Sequence, residues 1–342
     1  MPEHRFIFFF DRPFNDDFIY GPNVQGVVLS PQARHPVLYQ AWFEWAVPRK
    51  LKEVQADLFF SPEGYLSLRS SVPSINVIHD INFLHHPEML DRAHRWHFNR
   101  YFPRYAEKAK HVITVSEYSR QDILKHYNIA EDKMSVVYNG VSDAFVPINA
   151  IEKARVRSEK SNGAPYFVFV GSLHPRKNIT RLIKAFDVFK TKTGLPHRLL
   201  IVGKRAFLNK EMDSAYESLA HRKDVIFTGR LEEDDMIETV ASAQAMVFVP
   251  LFEGFGMPII EAYSCGVPVI ASDISALPEI AGESALLVDP LSSEAIADAM
   301  TLIAQDENRR DALGAAGKER ARSFDWNLAA TEIATIIRTQ LG

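Results

Sequence analysis

The stretch Pro250-Leu-Phe-Glu-Gly-Phe-Gly-Met-Pro-Ile-Ile-Glu-Ala-Tyr-Ser-Cys-Gly-Val-Pro-Val-Ile-Ala-Ser272 decides the fold. It reads as the end of a strand, a glycine loop, a short helix, a turn and another strand. Residues 245–249 just before it form a short apolar run, the pattern of a buried parallel strand. Gly254 and Gly256 let the backbone turn sharply and approach a ligand without a Cβ in the way. Pro258 suits the first helical position and Gly266 the helix exit. A helix start behind a glycine loop presents unpaired N–H groups and the positive end of a dipole, which together receive phosphates. Glu253 stands before the loop and Glu261 one turn into the helix. Gly and Pro alone would fit any strand–helix junction; two carboxylates around Gly-x-Gly-x-Pro point to ligand binding.

Working back towards residue 165, the same strand-then-turn unit repeats. Pro165-Tyr-Phe-Val-Phe-Val170 runs into Gly171-Ser-Leu-His-Pro-Arg-Lys-Asn178, and helical spacing follows over 179–193. Arg176 and Lys177 therefore fall just before a helix start, beside a glycine turn, as a diphosphate site needs. Residues 198–202 with Gly203, and 225–227 with Gly229-Arg230, are further units. Helix 231–242 has an acidic first turn that matches its dipole. Residues 294–305, 309–322 and 328–341 read as closing helices.

The first half has the same grammar. Strands are expected at 5–10, 27–29, 57–61, 75–78, 111–115 and 134–138. Residues 37–54 read as an amphipathic helix broken near Pro48. Alternating strands and helices imply an α/β architecture with parallel sheets, whose ligands sit at the carboxyl ends of strands. Ser61-Pro62-Glu63, His79-Asp80 and Ser116 fall at such ends, and Ser116 is placed to cap helix 117–127. His79 is read as a polar active-site contact; its bland alternative is a backbone hydrogen bond at the strand end. His85 and His86 lie close by, but no spacing there matches a metal-ligand pair. Residues 91–110 interleave Arg92, Arg95, Arg100 and Arg104 with Trp96, Phe98, Tyr101 and Tyr105. This is either a solvated basic helix face or one that meets an anionic membrane surface. Residues 142–164 are polar and lose periodicity, which reads as the connection between two domains.

Bulk properties bound the function. The 342 residues exceed one ordinary domain. A net charge of -4 argues against wholesale nucleic-acid binding. One cysteine, Cys265, excludes an internal disulfide and a cysteine metal site, and its position marks a small buried residue. No apolar run reaches membrane-span length and the start is not a signal peptide, so a cytoplasmic protein is expected. No Gly-x-Gly-x-x-Gly follows a strand, since Ile259 stands where the third glycine would be. No Walker loop and no Asp-x-Asp occur, so neither a nucleoside-triphosphate loop nor a metal-dependent nucleotide-sugar site is indicated.

Glu253-Gly-Phe-Gly-Met-Pro-Ile-Ile-Glu261 resembles the Glu-x7-Glu motif of retaining glycosyltransferases of family 4, the group 1 glycosyltransferases. Residues 115–124, 136–141, 171–178 and 266–271 are similar to segments of that family in the expected order, so the resemblance covers nearly the whole chain. It implies the GT-B fold, two Rossmann-like domains facing across a cleft. Residues 1–145 would form the acceptor-side domain and 165–323 the nucleotide-sugar domain, with 324–342 a helix packing back towards the first domain. The family normally opens with a strand and a glycine-rich loop, and this chain enters at what looks like the second strand.

The resemblance also implies roles. Lys177 with Arg176 would hold the donor diphosphate without a metal or cofactor, beside Gly171 and Ser172. Ser172 stands where many members carry arginine, which Arg176 would replace. Glu253 and the N–H groups of Phe255, Gly256 and Met257, next to Gly254, would bind the sugar. Glu261 would take the ribose hydroxyls, Gly229-Arg230-Leu231 would border the base, and His79 would touch the sugar near the reacting centre. The expected donor is a GDP-, UDP- or ADP-sugar, with mannose favoured over glucose or another hexose. The expected acceptor is a glycan or lipid-linked glycan in polysaccharide synthesis, with peripheral contact at the inner membrane face through 91–110. Two other readings are a nucleotide-sugar-binding protein without catalysis and a GT-B-type sugar-nucleotide epimerase.

Overall fold

The computed structural model describes residues 1–33, 35–204 and 210–342. The chain divides into two compact units. The first holds Met1–Val115, Ser119–Val137 and Ala330–Gly342; the second holds Ser116–Tyr118 and Tyr138–Ala329.

In the first unit, β1 (Phe6–Phe10) pairs in parallel with β2 (Val24–Val28). Helical residues follow as α1 (Pro36–Ala41), a π turn (Trp42–Ala46) and α2 (Val47–Glu53). The expected break at Pro48 is thus displaced: the helix runs on, and the irregular turn lies just ahead of the proline. Pro48 sits in the first turn of α2, where a missing N–H is harmless, and the widened turn relieves its ring from the carbonyl four residues back. Glu44 within that turn is buried, and its carboxylate accepts from the N–H groups of Leu68 and Arg69. β3 (Phe59–Ser61), β4 (Ser74–Val77), β5 (His111–Thr114) and β6 (Met134–Val136) form a parallel sheet in that order. Between them lie α3 (Asn82–His85), α4 (Arg92–Lys108) and α5 (Glu117–His126). Among the described residues the first two strands form a ladder of their own, separate from this sheet. Leu66, Ile78, Ile81, Phe102, Tyr105, Val112 and Ile123 fill the core beneath it. Asp91 caps α4 through the N–H groups of Ala93 and His94.

The second unit holds a helix within residues 142–164, where polar composition without periodicity implies only a connection between domains. α6 (Ala150–Ser161) starts with a reciprocal capping box between Asn149 and Glu152 and ends at Asn162 in the left-handed conformation. Its polar composition hides it because only a narrow side is buried, at Val156 and Ser161. Arg157 donates to the Ser242 carbonyl and Lys160 pairs with Asp235. Then follow β7 (Tyr166–Val170), α7 (Ile179–Thr193), β8 (Arg198–Val202), α8 (Lys210–Ser218), β9 (Val225–Gly229) and α9 (Glu233–Ala241). The chain continues with β10 (Ala245–Phe248), α10 (Met257–Ser264), β11 (Val269–Ser272), α11 (Leu277–Ala281) and β12 (Ala285–Val288). α12 (Ser293–Gln305) and α13 (Glu307–Ala321) close it, and α14 (Trp326–Leu341) starts in this unit and belongs to the first from Ala330 onward. The sheet order is β12-β11-β10-β7-β8-β9, and every pairing is parallel. Phe167, Phe169, Leu200, Met246, Phe248 and Ile270 are fully buried, as strands covered on both faces require. No helix of the described residues is long and apolar enough to cross a membrane.

Candidate active site

β7 is the first strand of its unit, and successive strands leave it in both directions. The order therefore reverses between β7 and β10. Loops leaving the carboxyl ends of two such strands diverge and open a crevice. Here they are the lysine loop, 171–178, and the glutamate loop, 249–257. The loops are laced together: the Leu251 N–H donates to the Arg176 carbonyl at 2.8 Å, and Arg176 Nη1 donates to the Phe252 carbonyl.

The charged side chains converge at one atom. Glu253 Oε1 lies 2.5 Å from Lys177 Nζ and 2.8 Å from Arg176 Nη1. All three side chains are mostly buried, with 12–19% of each exposed. Lys177 Nζ also stands 5.1 Å from the centre of the Phe248 ring, a favourable place for a cation. His174 Nδ1 accepts from the Arg176 N–H and starts the short 3-10 turn that carries both cations. Burial, then the charges of Arg176 and Lys177, hold the His174 imidazole below its ordinary pKa. A neutral ring keeps the lone pair that this contact needs.

Asn178, the last residue of the lysine loop, fixes it. It takes a left-handed backbone, φ 62°, which Asn tolerates better than most. Its buried amide donates to the Val249 carbonyl at 2.9 Å and the Pro290 carbonyl at 2.8 Å. Ser275 is a second such residue: its hydroxyl accepts from the Glu253 N–H. The signal for Asn178 was its place between a Pro-led turn and a helix; Ser275 carried none.

α10 starts as expected. Gly256 precedes it at φ 113°, and a Cβ there would lie 2.7 Å from Leu277 Cδ2. The N–H groups of Phe255, Gly256 and Met257 make no hydrogen bond among the described residues. Gly254 offers its carbonyl to the Ser116 hydroxyl. Glu261 is half-buried on α10, and burial pushes its carboxyl up to about 7. Cys265 is buried, with its thiol pushed up to about 12; a thiol so raised is no nucleophile.

At the other side of β7 three turns meet. The Gly203 N–H donates to the Gly229 carbonyl, and a Cβ on Gly203 would stand 1.8 Å from the Gly171 carbonyl oxygen. Only glycine permits that approach. A cavity of about 530 Å³ opens there, lined by Leu173, Gly203, Met212, Tyr216, Phe227 and Gly229, among others. Gly229 is on this wall, whereas Arg230 and Leu231 are not among its lining residues. Ser172 lies between Gly171 and Leu173 on the same loop.

His79 belongs to the first unit, at the carboxyl end of β4. Its Nε2 donates to the Pro62 carbonyl at 3.0 Å. The backbone hydrogen bond at the strand end is therefore present, and in the neutral ring Nδ1 is left as an acceptor.

A doubly wound sheet with two cations and a carboxylate at its switch point defines a nucleotide-binding α/β unit. Comparison with known proteins makes the class specific. Residues 150–320 match the model of glycosyl transferases group 1, and residues 3–145 match that of glycosyltransferase family 4. The chain belongs to this family of glycosyltransferases, has the GT-B fold and is a hexosyltransferase. It is 27% identical over 312 residues to O-antigen chain mannosyltransferase B of Escherichia coli, covering 90% of this chain and 81% of that one. It is 27% identical over 273 residues to O-antigen chain mannosyltransferase RfbU of Salmonella typhimurium, covering 79% and 71% respectively. Among solved structures, Anabaena Alr3699/HepE in complex with UDP and glucose superposes with a TM-score of 0.78, at 18% identity, over 97% of this chain and 91% of that one. That likeness concerns the fold.

Proposed function

We propose that the enzyme transfers a hexose, mannose first among them, from a nucleoside diphosphate sugar to a glycan or lipid-linked acceptor in polysaccharide synthesis, with retention at the anomeric carbon. One observation carries the reading: two cations at the switch point share a single carboxylate oxygen. Two positive charges against one negative leave the site net positive, so it attracts a diphosphate. A diphosphate oxygen entering there takes over Lys177 and Arg176 and frees Glu253 for the sugar hydroxyls. Fixed cations then stabilise charge on the departing diphosphate, the task a metal performs in other sites.

The family resemblance supports the other roles. Gly171 and Ser172 admit the phosphates closely. The N–H groups of Phe255, Gly256 and Met257, beside Gly254, face the sugar, and Glu261 takes the ribose hydroxyls. The base lies along the turn at Gly229, with Arg230 and Leu231 next in the chain. For His79 the same resemblance supports a role towards the sugar near the reacting carbon. The acceptor hydroxyl attacks the anomeric carbon on the face the diphosphate leaves. Its proton passes to the departing phosphate oxygen as the carbon–oxygen bond to phosphate breaks. No protein nucleophile is involved, so this differs from the two-step glycosidase route.

Mannose is supported by the two O-antigen mannosyltransferases. Peripheral membrane contact from the cytoplasmic side is supported by α4, where Trp96 is 61% exposed and Arg104 stacks over Tyr101. The test is a thermal-shift screen of GDP-, UDP- and ADP-sugars, then release of nucleoside diphosphate with glycan acceptors. A mannosyl donor that raises the unfolding temperature and turns over only with acceptor is expected. Binding without release for every acceptor would mark a non-catalytic binding protein instead.

A further inference from the structure

We propose that His85, Asp122 and His126 form a binding site for a zinc-like divalent transition metal on the first unit. Asp122 and His126 are four residues apart on α5, so their side chains stack on one face. His85 reaches them from the last position of α3. Asp122 Oδ2 lies 2.8 Å from His85 Nε2, and Oδ1 lies 3.2 Å from His126 Nδ1. One donor atom from each residue falls within 4.8 Å of the others. A tetrahedral zinc ion with bonds of about 2.0–2.1 Å holds its ligands roughly 3.3 Å apart. Small rotations of exposed rings therefore suffice to form the site.

The donor set selects the ion. Two imidazole nitrogens and one carboxylate suit zinc and its neighbours, whereas magnesium and calcium prefer oxygen. Three protein ligands leave a fourth position to water. The imidazole rings cross at 86° with centres 5.5 Å apart. The histidine side chains are 30% and 32% exposed, so an ion has access, while Asp122 is only 9% exposed and held in place. His126 Nδ1 now also lies 2.8 Å from the backbone carbonyl of Asp122. Ligation exchanges that contact for a metal bond, and the proton of the neutral ring moves from Nδ1 to Nε2 through solvent. A bound ion ties α3 to α5, and none of its ligands belongs to the candidate donor site.

The full chain, stripped of metal, is titrated with zinc alone by calorimetry and with cobalt(II) in the visible range. One equivalent should bind with Kd on the order of 1 μM. Cobalt should give the intense visible bands of a tetrahedral N/O site, and zinc should raise the unfolding temperature where magnesium does not. His85→Ala and His126→Ala, both at exposed positions, should each weaken zinc at least about tenfold and remove the temperature shift. Zinc binding unchanged in both variants, or no binding at about 100-fold the expected Kd, would overturn the proposal.

Discussion

Lys177 Nζ lies 2.5 Å from Glu253 Oε1, although 76 positions separate the two residues in the chain. Arg176 reaches the same oxygen at 2.8 Å. The site is therefore held in register by its own opposite charges, which is the preorganisation that electrostatic catalysis needs. Lys177→Ala should lower transfer by about 10²–10³-fold with the unfolding temperature nearly unchanged. Arg176→Ala should lose less, because Lys177 still meets the leaving group. Acceptor-dependent release of nucleoside diphosphate measures both. Full activity in Lys177→Ala would refute the diphosphate assignment.

Asn178→Ala separates positioning from charge. The substitution leaves two buried carbonyls, of Val249 and Pro290, without the amide they now share. It also places alanine at φ 62°. Each lost partner costs about 1–3 kcal/mol, so urea unfolding should show clear destabilisation. Activity should fall too, although no charge has been removed, because the lysine loop loses its anchor.

Glu261 predicts a pH dependence. Its folded carboxyl titrates at about 7 rather than at the ordinary 4.5, because burial disfavours the charged form. In the role proposed for it the carboxylate accepts both ribose hydroxyls, so nucleotide affinity should fall up to about tenfold per pH unit below 7 and level off above it. Glu261→Gln should bind more weakly and lose this slope. Stability follows the same proton. Between pH 4.5 and about 7 the folded state binds more protons than the unfolded one, so this group's contribution is present at low pH and lost as pH rises. Wild-type stability should therefore decline from pH 5 to pH 8 relative to Glu261→Gln in parallel urea titrations.

Asn149→Ala tests α6 by itself. Loss of the side-chain half of the capping box should cost about 1 kcal/mol and leave transfer kinetics unchanged. A kinetic effect would mean that α6 does more than brace the sheet through Arg157 and Lys160.

Much of the second unit was legible because its signals are local. β8 and α7 run over the residues that their apolar runs mark out, since strands buried on both faces must be continuously hydrophobic. The start of α10 was equally plain, as Gly256 and Pro258 act through their own backbone angles. α6 was missed although its caps were written in Asn149, Glu152 and Asn162-Gly163. Its apolar side is too narrow for periodicity to register, and its faces are satisfied by ion pairs with α9. In the first unit, the π turn ahead of Pro48 and the separate pairing of β1 with β2 depend on packing that no periodicity describes.

Chain composition and spacing by themselves determined the alternation of strand and helix, the glycine turns at strand ends and the residue types at the candidate site. These are one-dimensional properties, set within a few residues by backbone sterics and side-chain polarity. Only the tertiary structure decided that β7 and β10 are neighbours, that Lys177 and Arg176 share one oxygen of Glu253, and that Asn178 holds their loop. It alone set Asp122 between His85 and His126. Such contacts join positions far apart in sequence, and their distances depend on how sheets and helices bury apolar surface together. The Glu-x7-Glu spacing named the chemistry; the crossover between β7 and β10 brought its charges to within hydrogen-bonding distance.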